Sequence, residues 1–342
     1  MDFIQDGKKF DLISFGEVML RLSPPDKEKI SQGQVFEKNA GGSELNVASG
    51  AAFLGVRSAI ITKLPDNKIG RFIKYKIRYG NVSDDYVVYD DSDEKRLGIY
   101  YFESGAYPRK SSVVYDRAHS SMTTLKLEEI NPEIYDKTRL FHVSGITLAI
   151  NKDLRTTVIE LIKNFKAKGA AISFDVNYRA SLWSEEEARE TIKTILPYID
   201  ILFISEETSR RMMQKKGTLQ EIMKSYTEEY NCKIVLTTRR GVVSPTKHNF
   251  GSIIYFDGKF YEEPQYENIE VVDRIGSGDA YVAGALFGIL KYNDVEKALE
   301  FGNAMGAVKN TIYGDMPASS LEEIEGIIKS HKSAGNDSEM NR

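Results

Sequence analysis

The stretch Val271-Val-Asp-Arg-Ile-Gly-Ser-Gly-Asp-Ala-Tyr-Val-Ala-Gly284 sets a glycine turn directly in front of a small, apolar run. Gly276, Ser277 and Gly278 remove bulk just where Ala280 to Leu290 begins a helix, so several backbone N–H groups point at one spot before it. The partial positive charge of a helix N-terminus adds to those donors, and the result suits a developing phosphoryl charge. Asp279 sits in the same turn, where its carboxylate would repel an anion unless it is needed there. Accepting the proton of an alcohol is such a need. For a bare Gly-x-Gly-Asp, the plainer reading is a tight turn with Asp279 as an N-cap.

Outward from that turn, apolar runs recur at Leu12 to Gly16, Ser58 to Thr62, Leu140 to Val143, Ala170 to Asp175, Ile199 to Ile204 and Lys233 to Thr237. Helical patterns lie between them at Leu154 to Lys168, Glu185 to Leu196 and Thr208 to Glu229. Strand alternating with helix implies parallel strands with helical crossovers, an α/β fold. Two insertions, at about 19–38 and 86–117, have period-two character and predict strands of a small separate sheet, a lid over a site on the main one. The expected organisation is one domain over 1–330 and a polar, flexible tail over 331–342.

The 342 residues carry 46 Lys plus Arg against 50 Asp plus Glu, a net charge of -4 that gives no global basic footprint for nucleic acid. The single cysteine, Cys232, excludes an intramolecular disulfide and a thiolate zinc cluster. The start of the chain lacks a secretory pattern, and the longest apolar run is far short of the ~20 residues of a membrane span. A cytoplasmic protein without nucleic-acid or membrane partners is expected.

A second glycine-led segment, Gly41-Gly-Ser-Glu-Leu-Asn-Val-Ala48, lets a polyol approach the backbone closely and offers Asn46 as both donor and acceptor to hydroxyls. It resembles the first signature of the ribokinase-like carbohydrate kinases, Gly-Gly-x-x-x-Asn-x-Ala. Asp273-Arg-Ile-Gly-Ser-Gly-Asp279 resembles their second, Asp-Thr-x-Gly-Ala-Gly-Asp, and the two occur in the family's order. The resemblance implies a mostly parallel sheet flanked by helices with a β lid, and phosphoryl transfer from ATP with Mg2+ to a sugar hydroxyl. Asp279 would be the base and the Gly276, Ser277 and Gly278 turn the anion hole. It further implies nucleotide contacts from Ser205, Thr238, Gly241, Asp273, Arg274, Gly276, Gly278 and Asn303. No metal ligands are assigned, and a monovalent cation is a further cofactor to test. ATP as donor rests on the resemblance alone, because no Gly-x-x-x-x-Gly-Lys-Ser/Thr loop occurs.

Arginine placement bears on the acceptor. A sugar acid brings a carboxylate that favours fixed guanidinium and phenol donors, whereas a neutral sugar needs only hydroxyl partners. Tyr115-Asp-Arg117 lies in the lid, and Asp175-Val-Asn-Tyr-Arg179 follows a strand at the end where open α/β sheets bind ligands. With Gly98-Ile-Tyr-Tyr-Phe-Glu103, these segments look like the 2-keto-3-deoxygluconate kinase subgroup. That likeness would put Gly41, Gly42, Asn46, Tyr100, Tyr115, Arg117 and Arg179 on the substrate. Tyr100 and Tyr101 alternate across a strand, and Tyr100 is the one preferred. The bland readings are a solvated lid-edge Arg117 and an Arg179 paired structurally with Asp175. His119, His142, His248 and His331 show no metal-ligand spacing and receive no role.

Three departures from the family pattern stand out. Arg274 replaces the usual Thr, Ser205-Glu-Glu-Thr208 replaces an Asn-x-x-Glu element, and Thr237-Thr-Arg-Arg-Gly241 alters a Thr-x-Gly-x-x-Gly loop. The leading expectation is a kinase making the 6-phosphate of 2-keto-3-deoxygluconate. The alternatives are a kinase for a neutral ketose or another sugar acid, and a sugar-binding regulatory protein that has lost turnover. Exposed lid strands predict a homo-oligomer.

Overall fold

A computed structural model describes residues 1–244 and 246–333. In chain order the strands are β1 (Phe10–Phe15), β2 (Met19–Ser23), β3 (Glu37–Gly41), β4 (Ser58–Pro65), β5 (Val82–Ser83), β6 (Val87–Asp90), β7 (Ile99–Glu103) and β8 (Ser112–Asp116). They continue as β9 (Thr138–Ser144), β10 (Ala171–Asp175), β11 (Ile201–Phe203), β12 (Ile234–Ser244), β13 (Lys247–Phe256), β14 (Lys259–Glu262) and β15 (Tyr266–Glu270).

The main sheet runs β14-β13-β12-β11-β10-β9-β1-β4-β5, with β6 also on β4 and β15 also on β13. From β12 to β5 all pairings are parallel, and the inner strands are apolar on both faces because helices cover both. β12 to β15 form an antiparallel extension at one edge. The lid is a four-stranded sheet in the order β3-β2-β7-β8. Its second insertion starts later than the sequence pattern suggests, because Val87–Asp90 pairs in parallel with β4 and belongs to the main sheet. The helix expected over Thr208 to Glu229 is two, Glu206–Arg211 and Leu219–Tyr230, separated around Gly217 with its φ of 107°. The last helix is Leu321–Ser333, so the tail expected over 331–342 lies outside the described residues beyond Ser333.

Two helices fix the site. Ser43–Phe53 and Ser277–Tyr292 are buried almost all round, so neither shows a strong amphipathic stripe. They touch where a Cβ on Gly50 would lie 2.8 Å from Ala283 Cβ, and Gly284 and Gly288 let helix Val295–Lys309 approach until its backbone fills the space. This close packing brings the N-terminal turns of Ser43–Phe53 and Ser277–Tyr292 together beneath the lid. One rung of that lid aligns Arg21, Tyr100 and Tyr115 across β2, β7 and β8. β8 is an outer strand with Val113, Val114 and Tyr115 exposed, the edge at which the expected self-association would act.

Candidate active site

A cleft of about 830 Å³ opens between lid and sheet, at the C-terminal ends of β10 and β11. Its lining includes Gly42, Asn46, Tyr100, Tyr115, Arg117, Arg179, Ser205, Thr238, Arg274 and the whole Gly276 to Asp279 turn. Segments distant in sequence therefore meet at one place. A second cleft of about 800 Å³, at the N-terminal ends of β1 and β4, holds Arg57 and Arg139 already paired with Asp11 and collects none of these residues.

Asp279 lies in the first turn of its helix, behind the N-cap Gly276, whose φ of 82° is left-handed. A side chain at Gly276 would place its Cβ 2.2 Å from the Asp315 carbonyl oxygen, so both conformation and space demand glycine. The Asp279 carboxylate accepts hydrogen bonds from Ser43 Oγ at 2.8 Å and Asn46 Nδ2 at 2.7 Å. These two donors fix its orientation. Burial raises its pKa above the ordinary carboxylate value, against the lowering effect of Asn46, Ser43 and Arg179. Asn46 spends its amide N–H on Asp279, and its Oδ1, buried in the cleft lining, has no partner among the described residues. A ligand hydroxyl would satisfy it.

Asp175, at the end of β10, is a second carboxylate that sequence reasoning treated only as a partner for Arg179. Burial and the nearby Asp279 charge push it up to about 7, opposed by Arg179 and Arg240. Two neighbouring carboxylates with raised pKa values and facing arginines are the arrangement expected of proton-transfer chemistry, not of a plain N-cap.

Positive charge gathers on the other side of the turn. Arg240 lies over it, with Nη2 3.1 Å from where a Gly278 Cβ would stand, and Arg274 lines the cleft beside it. Burial and the charges of Arg274 and Arg179 lower the Arg240 pKa, while Asp175 and Asp279 hold it up. Arg240 was missed as a site residue, although the altered Arg239-Arg240 loop was its signal. Arg239 instead pairs with Glu262 at 2.5 Å.

The lid supplies the remaining wall. Tyr100 is buried and Tyr101 packs edge-on against Phe36, so Tyr100 is the cleft residue of the pair. Its hydroxyl donates to Asp315. Arg21, on the same rung, donates to Asp315 Oδ1 and Asp273 Oδ2, each at 2.7 Å, and all three side chains are buried. Nothing marked Arg21 or Asp315 in the sequence, since a charge on an otherwise apolar strand and an acid in a loop are both ordinary. Tyr115 is half exposed, with its ring 5.8 Å from that of Tyr100. Arg117 donates to Glu17, and its Nε is buried without a partner among the described residues. The Arg179 side chain forms no hydrogen bond or ion pair among the described residues and lies exposed at the cleft.

Several expected residues stand apart from the lining. Asp273 is buried on Arg21, Gly241 packs on Asn249 in the β12–β13 hairpin, and Asn303 is locked between Ser252 and Glu263. Gly41 lies just behind the wall, where a Cβ would come within 2.5 Å of both Asp315 and Tyr100 oxygens. Ser205, Glu206 and Glu207 do line the cleft, but Ser205 caps helix Glu206–Arg211 by accepting from Thr208 N, and Glu206 and Glu207 pair with Arg210 and Arg211. No cluster of three His, Cys, Asp or Glu capable of holding a metal occurs among the described residues.

Residues 9–320 match the model of the pfkB family carbohydrate kinases. The chain belongs to that family. It is 34% identical over 319 residues to a 2-dehydro-3-deoxygalactonokinase from Haloferax volcanii, covering 93% of this chain and 96% of that one. A 2-dehydro-3-deoxygluconokinase from Thermotoga maritima shares its structure with a TM-score of 0.89 at 36% identity, covering 95% of this chain and all of that one. An uncharacterized sugar kinase from Pyrococcus horikoshii, solved in complex with ATP, aligns with a TM-score of 0.75 at 25% identity over 91% of this chain and 96% of that one. The chain is thus a carbohydrate kinase with the ribokinase-like fold, the family expected from its two glycine signatures. Among the described residues no helix is long and apolar enough to cross a membrane.

Proposed function

We propose that this pfkB-family kinase transfers the terminal phosphoryl group of ATP to the primary hydroxyl of a 2-keto-3-deoxy sugar acid, forming the 6-phosphate. The observation that carries the acid is Arg179, a guanidinium in the cleft lining that has no partner among the described residues and whose charge reaches Asp279. A sugar carboxylate gives that charge a planar, two-oxygen acceptor. The names of the Haloferax and Thermotoga relatives, whose acceptors are epimers of one another, support the same substrate class.

In this reading Asp279 takes the proton of the terminal hydroxyl while Ser43 and Asn46 hold its carboxylate still. The Gly276 to Gly278 turn and the helix N-terminus receive the charge of the transferring group, and Arg240 and Arg274 draw in the phosphate chain. The site fits a nucleoside triphosphate by charge. Mg2+ would be carried chiefly by the phosphates of the nucleotide, as is usual for this ion, and would supply neutralisation of their charge. Gly42 and Asn46 would meet the sugar backbone, with Tyr100, Tyr115 and Arg117 above it.

Arg179→Ala should raise KM for the keto acid by about 10- to 100-fold and change KM for a neutral ketose little. Arg117→Ala should act in the same direction but less, since Glu17 already compensates much of that charge. Steady-state kinetics with both acceptors tests this, and equal losses on the two would contradict a carboxylate clamp. Phosphorus NMR of the product reads whether the ester is at the primary carbon.

A further inference from the structure

The helix Val295–Lys309 ends on a lysine that no part of the phosphoryl-transfer scheme uses. Lys309 is 1% exposed, yet its ammonium touches no carboxylate closely enough to form an ion pair among the described residues. Its Nζ donates instead to two backbone carbonyls, Asp273 O at 3.1 Å and Ile312 O at 2.8 Å. Those carbonyls belong to two loops that run against each other. Val272 N and Asp273 N both donate to Asn310 O, Gly314 N donates to Asp273 Oδ2, and the Asp315 carbonyl fills the space at Gly276. The first loop leads into the anion turn, and the second forms its floor.

A buried charge is costly, and a methionine would fill the same volume without that cost. Burial lowers the Lys309 pKa to about 8, and Asp273 and Asp315 keep it from falling further. The ammonium therefore stays charged at neutral pH. Two carbonyl oxygens drawn from separate loops onto one compact cation are oxygen ligands of the kind a free potassium or ammonium ion would also draw on. The side chain supplies that ion covalently, at a helix C-terminus whose dipole favours it.

We infer that Lys309 is a tethered monovalent cation that clamps the Asp273 and Ile312 loops and so positions the Gly276 to Gly278 turn, leaving the enzyme independent of dissolved monovalent cations. The inference rests on that turn being the phosphoryl site proposed above. Lys309 is a positioning residue, and its signature is cation identity, which a packing role would not affect.

Unfolding midpoints by circular dichroism, at equal ionic strength in potassium, ammonium or tetramethylammonium chloride, test the clamp without any substrate. Wild type should unfold at the same midpoint in all three. Lys309→Ala, which leaves the carbonyls and a cavity, should be destabilised in tetramethylammonium and stabilised by potassium or ammonium in a saturable way. ADP formation should follow suit: less than about twofold variation between salts for wild type, a kcat loss of about tenfold or more for Lys309→Ala, and partial recovery with ammonium. Lys309→Met, which keeps the stem and fills the cavity, should show the kcat loss without recovery.

A wild type that is stabilised by potassium specifically, or that needs it for turnover, would overturn the inference, and that arm needs no variant to fold. An alanine variant that no cation restores would reduce Lys309 to packing and overturn it too. Failure of the sugar-acid reading alone would leave the unfolding results standing.

Discussion

Asp279→Asn should lower kcat by about 10³-fold, about 4 kcal/mol of transition-state stabilisation, while ATP still binds. The substitution keeps the shape and the Ser43 contact, because an amide oxygen can accept from a hydroxyl. It removes the charged oxygen that would accept the alcohol proton, and the new amide N–H faces Asn46, whose own amide must turn to accept from it. Since burial raises the Asp279 pKa, the wild-type rate should fall on the acid side at a pH above the ordinary carboxylate range. The sign follows from the role: a base works ionised, so kcat/KM rises with pH through that pKa. Burial and the Asp279 charge push Asp175 up to about 7, so the acid limb reports the coupled pair. Isothermal titration with a non-hydrolysable ATP analogue separates binding from turnover. An Asn variant within tenfold of wild type would leave Asp279 as no more than a cap.

Arg21→Leu should destabilise the protein by about 3–5 kcal/mol, the cost of stripping a buried pair of its cation. Arg21 is the bridge by which lid strand β2 holds Asp273, before the anion turn, and Asp315, beneath it. Burial disfavours its charge, but Asp315 and Asp273 more than restore it, so the guanidinium pKa stands above its usual value. Leucine leaves two carboxylates buried side by side, held by the Tyr100 hydroxyl and the Ile275 and Gly314 amides with the Lys309 ammonium nearby, but without the guanidinium that neutralised them. Urea unfolding followed by tryptophan fluorescence from Trp183 reads the loss. A change below about 1 kcal/mol would mean that the bridge is nearly neutral, as exposed pairs are.

The apolar runs at Leu12, Ser58, Leu140, Ala170, Ile199 and Lys233 all became strands because a parallel sheet buried on both faces needs unbroken apolar segments. The lid was legible in its alternation, but its edge was not: Val87–Asp90 has the same period whether it pairs with β4 or with a lid strand. The antiparallel extension beyond Thr237 was hidden because the second half of β12, β14 and β15 are polar or partly exposed, and only β13, with Phe250 to Tyr255 buried, carries an apolar run. At the site, the glycine turn and Asn46 could be read since their chemistry is local. Arg21, Asp175, Asp315, Arg240 and Lys309 gain meaning only from partners brought together by the two converging helices and the lid rung. Asn303 shows the converse, a polar residue expected at the nucleotide whose hydrogen bonds in the fold go to Ser252 and Glu263, away from the cleft lining.

The most direct test of the account is ADP release with MgATP against 2-keto-3-deoxygluconate, its galacto epimer, gluconate, fructose and ribose. The account predicts that kcat/KM for one or both keto acids exceeds that for every other acceptor by about 10²-fold or more. A neutral ketose turned over as well as the keto acids would contradict it, leaving a carbohydrate kinase whose Arg179 serves something other than a sugar carboxylate.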